Sequence, residues 1–221
     1  ADLFARPGIS VKLSALHPRY THTQEARVMA ELLPRLKEII RLGMQCRIAV
    51  SLDAEEANRL ELELEIYRNL LEDPEFAAFD GLGFVLQAYQ KRAVQVAEAL
   101  CALAKTQGRR IPVRLVKGAY WDSEIKHAQV MGLPGYPVFT RKEYTDLSYL
   151  ACAQLLLQHS PQHIYPQFAT HNALTVATIL ELAQKASLRP SDYEFQRLHG
   201  MGESLHEQLI STESDLIPHA S

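Results

Sequence analysis

The chain has 221 residues, 47% of them apolar, and a formal net charge of −3 at pH 7. This length suits one large domain or two small ones with a hydrophobic core. The small negative charge and the lack of a basic run argue against a dedicated nucleic-acid binder, and no apolar stretch reaches the roughly twenty residues that a membrane span needs. Cys46, Cys101 and Cys152 form neither a disulfide pattern nor a zinc motif, so we expect a reducing, cytoplasmic setting.

Strands and helices are predicted to alternate along the chain. The predicted strands cover residues 8–14, 47–52, 83–87, 111–116, 164–169 and 193–198. The predicted helices cover residues 24–42, 54–71, 91–106, 124–130, 143–158 and 173–185, with another beginning near Glu203. In the first helix we expect a break or kink at Pro34 and an end at Gly43, and Gly108 is expected to end the third. The charged run 61–65 is interpreted as the solvated face of the second helix.

Polar residues fall at one end of the predicted strands. Six of them lie at or just inside the carboxyl end of a different strand: Lys12, Asp53, Gln87, Arg114, His171 and Gln196. Strand and helix alternation indicates a parallel α/β fold, and the carboxyl ends of the strands are where barrel enzymes build their sites. A doubly wound sheet is the alternative, but the chain has no GxGxxG motif. We therefore predict a (β/α)8 barrel of the TIM type, with six of its eight strands visible.

The fourth predicted strand leads into a group of cations and aromatic residues. Arg114 lies within an apolar run, and Lys117, Tyr120 and Trp121 follow closely. A cation in such a place usually has an anionic or electron-rich partner, which favours a planar ligand with negative charge. An equally good interpretation is that Arg114 pairs with a core carboxylate and Trp121 simply packs. Together with Lys12, these cations suit a carboxylate, a phosphate or a reduced flavin.

Other kinds of site have weaker support. The chain has no HxH or HExxH pair, which counts against a metal-dependent hydrolase. Its serines lack the GxSxG context of a nucleophile elbow. The Gly200-Met201-Gly202 stretch could form an anion-binding nest or could simply turn the chain.

Six stretches of the chain together resemble one enzyme family. They are ISVKLSALHPRY (9–20), DAEE (53–56), QAYQKR (87–92), RLVKGAYWD (114–122), FATHN (168–172) and EFQRLHGMGE (194–203). From about residue 8 to residue 208, the chain closely resembles the proline dehydrogenase domain of the bacterial bifunctional proline-utilisation (PutA-type) flavoenzymes. The resemblance implies a distorted (β/α)8 barrel that holds FAD at the carboxyl ends of its strands. It also implies oxidation of L-proline to Δ1-pyrroline-5-carboxylate by hydride transfer to flavin N5, with a membrane quinone as the final electron acceptor.

The resemblance also assigns roles to individual residues. Lys12 would bind the proline carboxylate, Asp53 would orient the cationic cluster, and Tyr120 and Leu198 would close on the substrate ring. Arg114 would lie against the N5 edge of the flavin. The residues implied to contact or line the cofactor are Gln87, Arg114, Val116, Lys117, Gly118, Ala119, Trp121, Thr140, Lys142, Thr170, His171, Asn172, Gln196 and Leu198.

The chain departs from the family pattern after Gln208. In the family, a strand with a tyrosine and a helix with an Arg-Arg pair follow the Gly-Met-Gly-Glu loop, and residues 209–221 contain neither. The first strand of the family is missing before Gly8 as well. We therefore expect residues 1–221 to form a partial barrel domain of a longer cytoplasmic protein that contacts the membrane peripherally. The alternative is a barrel fragment that binds flavin or a nucleotide without turnover.

Overall fold

The computed structural model describes residues 3–212 and 219–220. The strands are β1 (Gly8–Val11), β2 (Ala49–Leu52), β3 (Leu82–Gln87), β4 (Ile111–Val116), β5 (Ile164–Ala169), β6 (Glu194–Arg197) and β7 (His219–Ala220). The helices are α1 (Leu13–Leu16), α2 (Glu25–Cys46), α3 (Leu60–Glu72), α4 (Ala93–Gln107), α5 (Trp121–Val130), α6 (Lys142–Gln158), α7 (Ala173–Lys185) and α8 (Glu203–Thr212). None of these helices has the length and apolarity needed to cross a membrane.

Two compact units make up the described chain. The first consists of residues 3–85 and 119–138, and the second of residues 86–118, 139–212 and 219–220. The boundary crosses β3, whose last two residues belong to the second unit. Helix α5 therefore belongs with the N-terminal part of the chain, although it follows β4 in sequence.

The first unit is built on parallel pairing of β1 with β2 and of β2 with β3. Tyr67 of α3 packs its ring 5.1 Å from the ring of Phe84, and its hydroxyl donates a hydrogen bond of 2.9 Å to the carbonyl of Leu82. Helix α2 contributes a stripe of fully buried residues that recur every fourth position. These residues are Val28, Leu32, Leu36 and Ile40.

Helix α2 runs past both of its predicted breaks. It continues through Pro34 to Cys46. Arg47 then caps the helix, with a φ of 55° that places it in the left-handed region. The prediction that Gly43 ends the helix is wrong, because this glycine is buried within the last turns. A Cβ atom on Gly43 would lie 2.6 Å from Cγ2 of Val50 and 3.0 Å from the carbonyl oxygen of Ile48. Gly43 is therefore explained by close packing against the following strand.

We expect Gly43→Ala to lower the free energy of unfolding by about 1–3 kcal/mol. Alanine gains about 1 kcal/mol of helix propensity over glycine, but the added methyl group collides with Val50 and with backbone. Urea denaturation of the single variant and of the Gly43→Ala, Val50→Ala pair would measure this. The second substitution removes the colliding methyl group, so the two effects should not add. An increase in stability for Gly43→Ala alone would contradict the packing explanation.

Helix α3 begins later than predicted. A 3₁₀ turn covers Ala57–Arg59, and α3 starts only at Leu60. The reason is that tertiary contacts hold the residues before it. The Glu55 carboxylate accepts the backbone N–H of Ser14 at 2.9 Å, and Glu124 of α5 accepts the backbone N–H of Ala57 at 2.5 Å. Local propensity alone does not reveal these two contacts.

The second unit is built on parallel pairing of β4, β5 and β6. Strands β4 and β5 and helix α7 have the predicted boundaries, and α4 ends at Gly108 as expected. The aromatic ring of Phe168 lies 6.0 Å from that of Phe195. The buried hydroxyl of Tyr149 in α6 lies 3.2 Å from the carbonyl oxygens of both Leu115 and Ala169.

A short additional strand follows helix α8. Strand β7 pairs in parallel with β6, with His219 opposite Gln196. This two-residue strand contains no tyrosine, so it is an addition to the six predicted strands and not the tyrosine-bearing strand of the family pattern. The first predicted strand, by contrast, is shorter than expected: β1 ends at Val11 and α1 begins at Leu13, so Lys12 lies between them.

Candidate active site

The predicted site residues are distributed over both units, and each set is described separately. The first unit contains Lys12, Asp53, Ala119, Tyr120 and Trp121. The second unit contains Gln87, Arg114, Val116, Lys117, Gly118, Thr140, Lys142, Thr170, His171, Asn172, Gln196 and Leu198.

In the first unit, the structure brings Lys12 and Tyr120 into direct contact. Lys12 Nζ donates a hydrogen bond of 3.1 Å to the Tyr120 hydroxyl and lies 5.7 Å from the centre of that ring. This hydrogen bond raises the pKa of Lys12 above its ordinary value, and the carboxylates of Asp53 and Glu55 add to the effect. Lys12 is exposed at the end of β1, so its ammonium group is a cation that a ligand can reach.

Asp53 follows β2 directly, next to the end of β1. Its backbone N–H donates to the carbonyl of Val11 at 3.0 Å, which brings the two strand ends together. Trp121 starts α5 and is 41% exposed, whereas Tyr120 caps that helix and is half-buried. The predicted start of α5 at Glu124 is therefore too late, and Trp121 belongs to the helix.

Behind Lys12 lies a buried group of charged residues that the sequence analysis missed. Glu55 accepts a hydrogen bond of 2.6 Å from Arg59, whose guanidinium lies 5.5 Å from the ring centre of Tyr20. Glu63 is only 2% exposed, and its Oε1 has no hydrogen-bond partner in the part of the chain that the structure describes. Burial, followed by the charges of Glu55 and Asp53, holds the pKa of Glu63 well above its usual range.

The interpretation of residues 61–65 as a solvated face is wrong at Glu63. The signal was present in the sequence, because Glu63 shares a helical stripe with apolar residues three before, four after and seven after it. These are Leu60, Tyr67 and Leu70, and all three are buried.

We expect Glu63→Gln to remove a pH dependence from the stability of the protein. Because the pKa of Glu63 is raised in the folded state, its protonated form stabilises the fold. This stabilisation is complete at pH values below the ordinary glutamate pKa of 4.5, and it is lost as the pH rises towards the folded-state pKa. Over that range the advantage of Glu63→Gln over the unaltered protein should grow by about 1.4 kcal/mol per pH unit. Urea denaturation at about pH 5, 6 and 7 measures it. A difference between the two proteins that does not change with pH would refute the expectation.

In the second unit, one face of the sheet carries buried polar side chains. Strand pairing places Arg114 beside Gln167, and Gln167 beside Glu194. Glu194 Oε1 accepts hydrogen bonds from the Nε2 atoms of Gln167 at 2.9 Å and of Gln196 at 2.5 Å, while Tyr165 donates to Glu194 Oε2 at 3.0 Å. Arg114 and Gln196 were predicted from the sequence as site residues, whereas Tyr165, Gln167 and Glu194 were not. The missed signal was the alternation of polar and apolar residues within β5 and β6.

The amide oxygens of this polar face are available for a ligand. Gln167 and Gln196 are 9% and 4% exposed, and within the described ranges neither Oε1 atom has a hydrogen-bond partner. A buried carbonyl oxygen without a donor is costly, so such atoms indicate a place for a donor from a ligand or a water molecule.

The loop after β5 contacts the loop after β6. The backbone N–H of Leu198 donates to His171 Nε2 at 3.0 Å, so a neutral His171 carries its proton on Nδ1. A Cβ atom on Gly202 would lie 3.2 Å from the His171 ring, and the N–H of Met201 donates to the Leu198 carbonyl. The Gly-Met-Gly stretch therefore turns the chain against His171.

Two more of the predicted residues have structural partners in this loop region. The side chain of Asn172 accepts the backbone N–H of Thr175 at 2.9 Å, which caps helix α7. The hydroxyl of buried Thr170 accepts the backbone N–H of Asn172 at 3.2 Å. These bonds occupy one acceptor of each side chain and order the loop around His171.

One carboxylate bridges two of the predicted cofactor-binding cations. Asp146 of α6 hydrogen-bonds to both Lys117 and Lys142. Burial acts to raise the pKa of Asp146, but the two lysine contacts outweigh it and hold the pKa below its usual value. Two lysines and one carboxylate leave one net positive charge in this group, close to exposed Thr140.

The backbone at the end of β4 is closely packed against the segment after β3. Gly118 has a φ of 141°, and a Cβ atom there would lie 2.4 Å from Cγ of the buried Tyr89 ring. The N–H of Tyr89 donates to the carbonyl of Lys117, and its carbonyl accepts the N–H of Phe139. Only glycine fits this position without movement of Tyr89.

No group of three or more His, Cys, Asp or Glu side chains that could hold a metal ion occurs in residues 3–212. His17 is buried and lies 3.1 Å from Glu31, and buried His206 contacts the carbonyl of Thr170. Parallel strands that alternate with helices and carry cations and amides at their carboxyl ends are typical of the α/β barrel class of folds.

The profile of the family described as Proline dehydrogenase matches residues 1–219. The chain therefore belongs to the proline dehydrogenase family.

Relatives of known name agree with this assignment. The bifunctional protein PutA of Klebsiella aerogenes is 57% identical over 213 residues, which are 96% of this chain and 16% of that protein. Proline dehydrogenase 1 of Bacillus subtilis strain 168 is 30% identical over 177 residues, which are 80% of this chain and 50% of that protein. A crystal structure of a substituted proline utilization A (PutA) from Bradyrhizobium japonicum matches at 55% identity with a TM-score of 0.92. That match covers 97% of this chain and 22% of the other.

The structural likeness confirms the predicted (β/α)8 barrel fold class. The chain spans about a sixth of the length of the bifunctional relative.

Proposed function

We propose that residues 1–221 are part of a barrel domain that oxidises L-proline to Δ1-pyrroline-5-carboxylate with FAD as hydride acceptor. The single observation that carries this proposal is the contact between Lys12 and Tyr120. The family resemblance implies that Lys12 binds the proline carboxylate and that Tyr120 contacts the proline ring. In the first unit, Lys12 Nζ lies 3.1 Å from the Tyr120 hydroxyl oxygen.

Lys12 binds the substrate carboxylate in this proposal. Its raised pKa keeps it protonated at neutral pH, and a charge-assisted hydrogen bond to a carboxylate is stronger than a neutral one. Asp53 supports the charged form of Lys12, and the ring of Tyr120 provides an apolar wall for the pyrrolidine ring. Leu198 of the second unit, to which the family resemblance also gives a contact with the substrate, has an exposed side chain. During oxidation, the ring carbon next to nitrogen loses a hydride, the nitrogen loses a proton, and a C=N bond forms.

The residues of the second unit fit a flavin. The fit rests on Oε1 of buried Gln196, which has no hydrogen-bond donor among the residues that the structure describes. An isoalloxazine ring carries an N–H at N3 that can supply one. When bound, the flavin accepts the hydride at N5. Arg114 is a fixed cation that stabilises the negative charge of the reduced ring, and Gln87 hydrogen-bonds the polar part of the ring.

The remaining cofactor residues hold the ring, ribose and pyrophosphate. The net positive charge of the Lys117, Asp146 and Lys142 group suits a phosphate. The other proposed contacts are Val116, Gly118, Ala119, Trp121, Thr140, Thr170, His171, Asn172 and Leu198. We further propose a quinone as electron acceptor and a cytoplasmic protein whose remaining parts contact the membrane peripherally.

A second candidate is a flavin-binding domain without turnover. It is favoured by the buried Oε1 atoms of Gln167 and Gln196, which have no hydrogen-bond partner among the described residues and indicate a ligand site in the second unit whether or not a substrate is turned over.

A visible spectrum followed by anaerobic L-proline separates the two candidates. Flavin bands that bleach with L-proline, but not with an equal concentration of D-proline, would support proline oxidation. Flavin bands that persist would support the second candidate. A protein that shows no flavin bands, even after addition of FAD, would refute both.

A further inference from the structure

The clearest unexplained feature of the second unit is that two glutamines donate to one buried carboxylate oxygen. Nε2 of Gln167 and Nε2 of Gln196 both donate to Glu194 Oε1, and Tyr165 occupies Oε2. Glu194 is 4% exposed and had no role in the family resemblance.

This arrangement decides which way each amide points. An ionised carboxylate only accepts hydrogen bonds, so it selects the NH₂ end of each glutamine. The carbonyl end must then point away from Glu194. Both carbonyl oxygens are buried, and neither has a partner among the residues that the structure describes. Without Glu194, either amide could turn over and present a donor instead of an acceptor.

The strand register places both oxygens on one face. Glu194 and Gln196 are two residues apart in β6, so their side chains leave the strand on the same side. Gln167 is the register partner of Glu194 in β5, and Arg114 is the register partner of Gln167 in β4. The two carbonyl oxygens therefore belong to the face that carries Arg114, which the proposed function places against the flavin.

We propose that Glu194 is a positioning residue that holds the carbonyl oxygens of Gln167 and Gln196 as acceptors for an N–H group of the flavin ring. This inference rests on the proposed function. The polar edge of the oxidised ring offers acceptors at N1, O2, O4 and N5, and a single N–H at N3. Amides with fixed carbonyl ends therefore select N3–H. Glu194 acts through its hydrogen bonds to the two amides and does not need to touch the substrate.

The test compares Glu194→Gln with the unaltered, flavin-loaded protein. A neutral glutamine can both donate and accept, so it no longer fixes either amide. FAD affinity is measured by flavin fluorescence, and the N3–H proton is observed by NMR with 15N-labelled FAD. Glu63→Gln is the matched control, because it makes the same substitution at a buried site of the other unit.

We expect Glu194→Gln to weaken FAD binding about 10- to 100-fold and to make the N3–H proton exchange rapidly with solvent. Glu63→Gln should leave both measurements unchanged. If Glu194→Gln fails to fold, Gln196→Met serves instead, since it keeps the buried carboxylate but removes one acceptor. It should give the same loss of N3–H protection.

Several results would overturn the inference. Weaker binding with an unchanged N3–H signal would mean that Glu194 only supports the fold. An N3–H signal unaffected by Gln196→Met, by Gln167→Met and by the two substitutions together would mean that water or another group binds the N3–H. Tight FAD binding by the unaltered protein with no protected N3–H would overturn the inference alone, whereas absence of FAD binding would overturn the proposed function as well.

Discussion

Replacing Lys12 by methionine is expected to weaken the binding of L-proline, or of a non-reacting proline analogue, about 30- to 150-fold. This corresponds to about 2–3 kcal/mol for a lost charge-assisted contact with the substrate carboxylate. Methionine keeps the length and apolar stem of the side chain but has no charge. A spectral titration of the flavin-loaded protein would measure the dissociation constant.

Two control variants make this result specific. Tyr120→Phe removes only the hydroxyl that accepts from Lys12, so binding should weaken only a few-fold. Lys105→Met removes an exposed lysine of α4 that belongs to no proposed site, and it should bind like the unaltered protein. Equal dissociation constants for Lys12→Met and Lys105→Met would exclude Lys12 as the carboxylate-binding residue.

Replacing Gly118 by alanine is expected to lower the free energy of unfolding by about 2–5 kcal/mol. Two causes add up: a φ of 141° that a side chain rarely adopts, and a Cβ placed 2.4 Å from the base of the Tyr89 ring. Tyr89 cannot easily move away, because its N–H and carbonyl are both hydrogen-bonded and its ring is buried.

The matched control for Gly118 is Gly108→Ala. Gly108 has a φ of 61° at the end of α4, but a Cβ there meets nothing within 4 Å. It should therefore show only the backbone penalty of about 1–2 kcal/mol. Urea denaturation of both variants isolates the collision with Tyr89. Equal destabilisation by the two substitutions would show that this collision is relieved.

The sequence predicted the elements whose ends are marked by local chemistry. Strands β4 and β5 are mostly apolar runs with one charged or amide residue each, and α4 ends at Gly108 because that residue adopts a left-handed conformation. The errors arose where distant residues decide the outcome. Val50 explains Gly43 inside α2, and Ser14 and Glu124 hold the residues before α3.

The candidate site was predicted to a similar extent. Polar residues at the carboxyl ends of the strands were chosen as candidate site residues, because barrel enzymes build their active sites at that end of the parallel strands. Glu63 and Glu194 were missed although a helical stripe and a strand alternation mark their positions, because neither pattern by itself shows that a carboxylate is buried. The hydrogen bond between His171 and the Leu198 backbone joins residues far apart in sequence, so no local sequence pattern predicts it.

The alternation of side chains in β5 and β6 also has a consequence for folding. Gln167 is followed by Phe168, and Phe195 separates Glu194 from Gln196. A slip of one residue in the pairing of β6 would turn Glu194 away from Gln167 and bring Phe195 into its place. That misaligned state would leave a buried amide without its carboxylate partner and break the contact between the tilted rings of Phe168 and Phe195. The polar groups proposed to hold the cofactor thus also favour the correct register of β6, because a shifted register would be less stable even without a ligand.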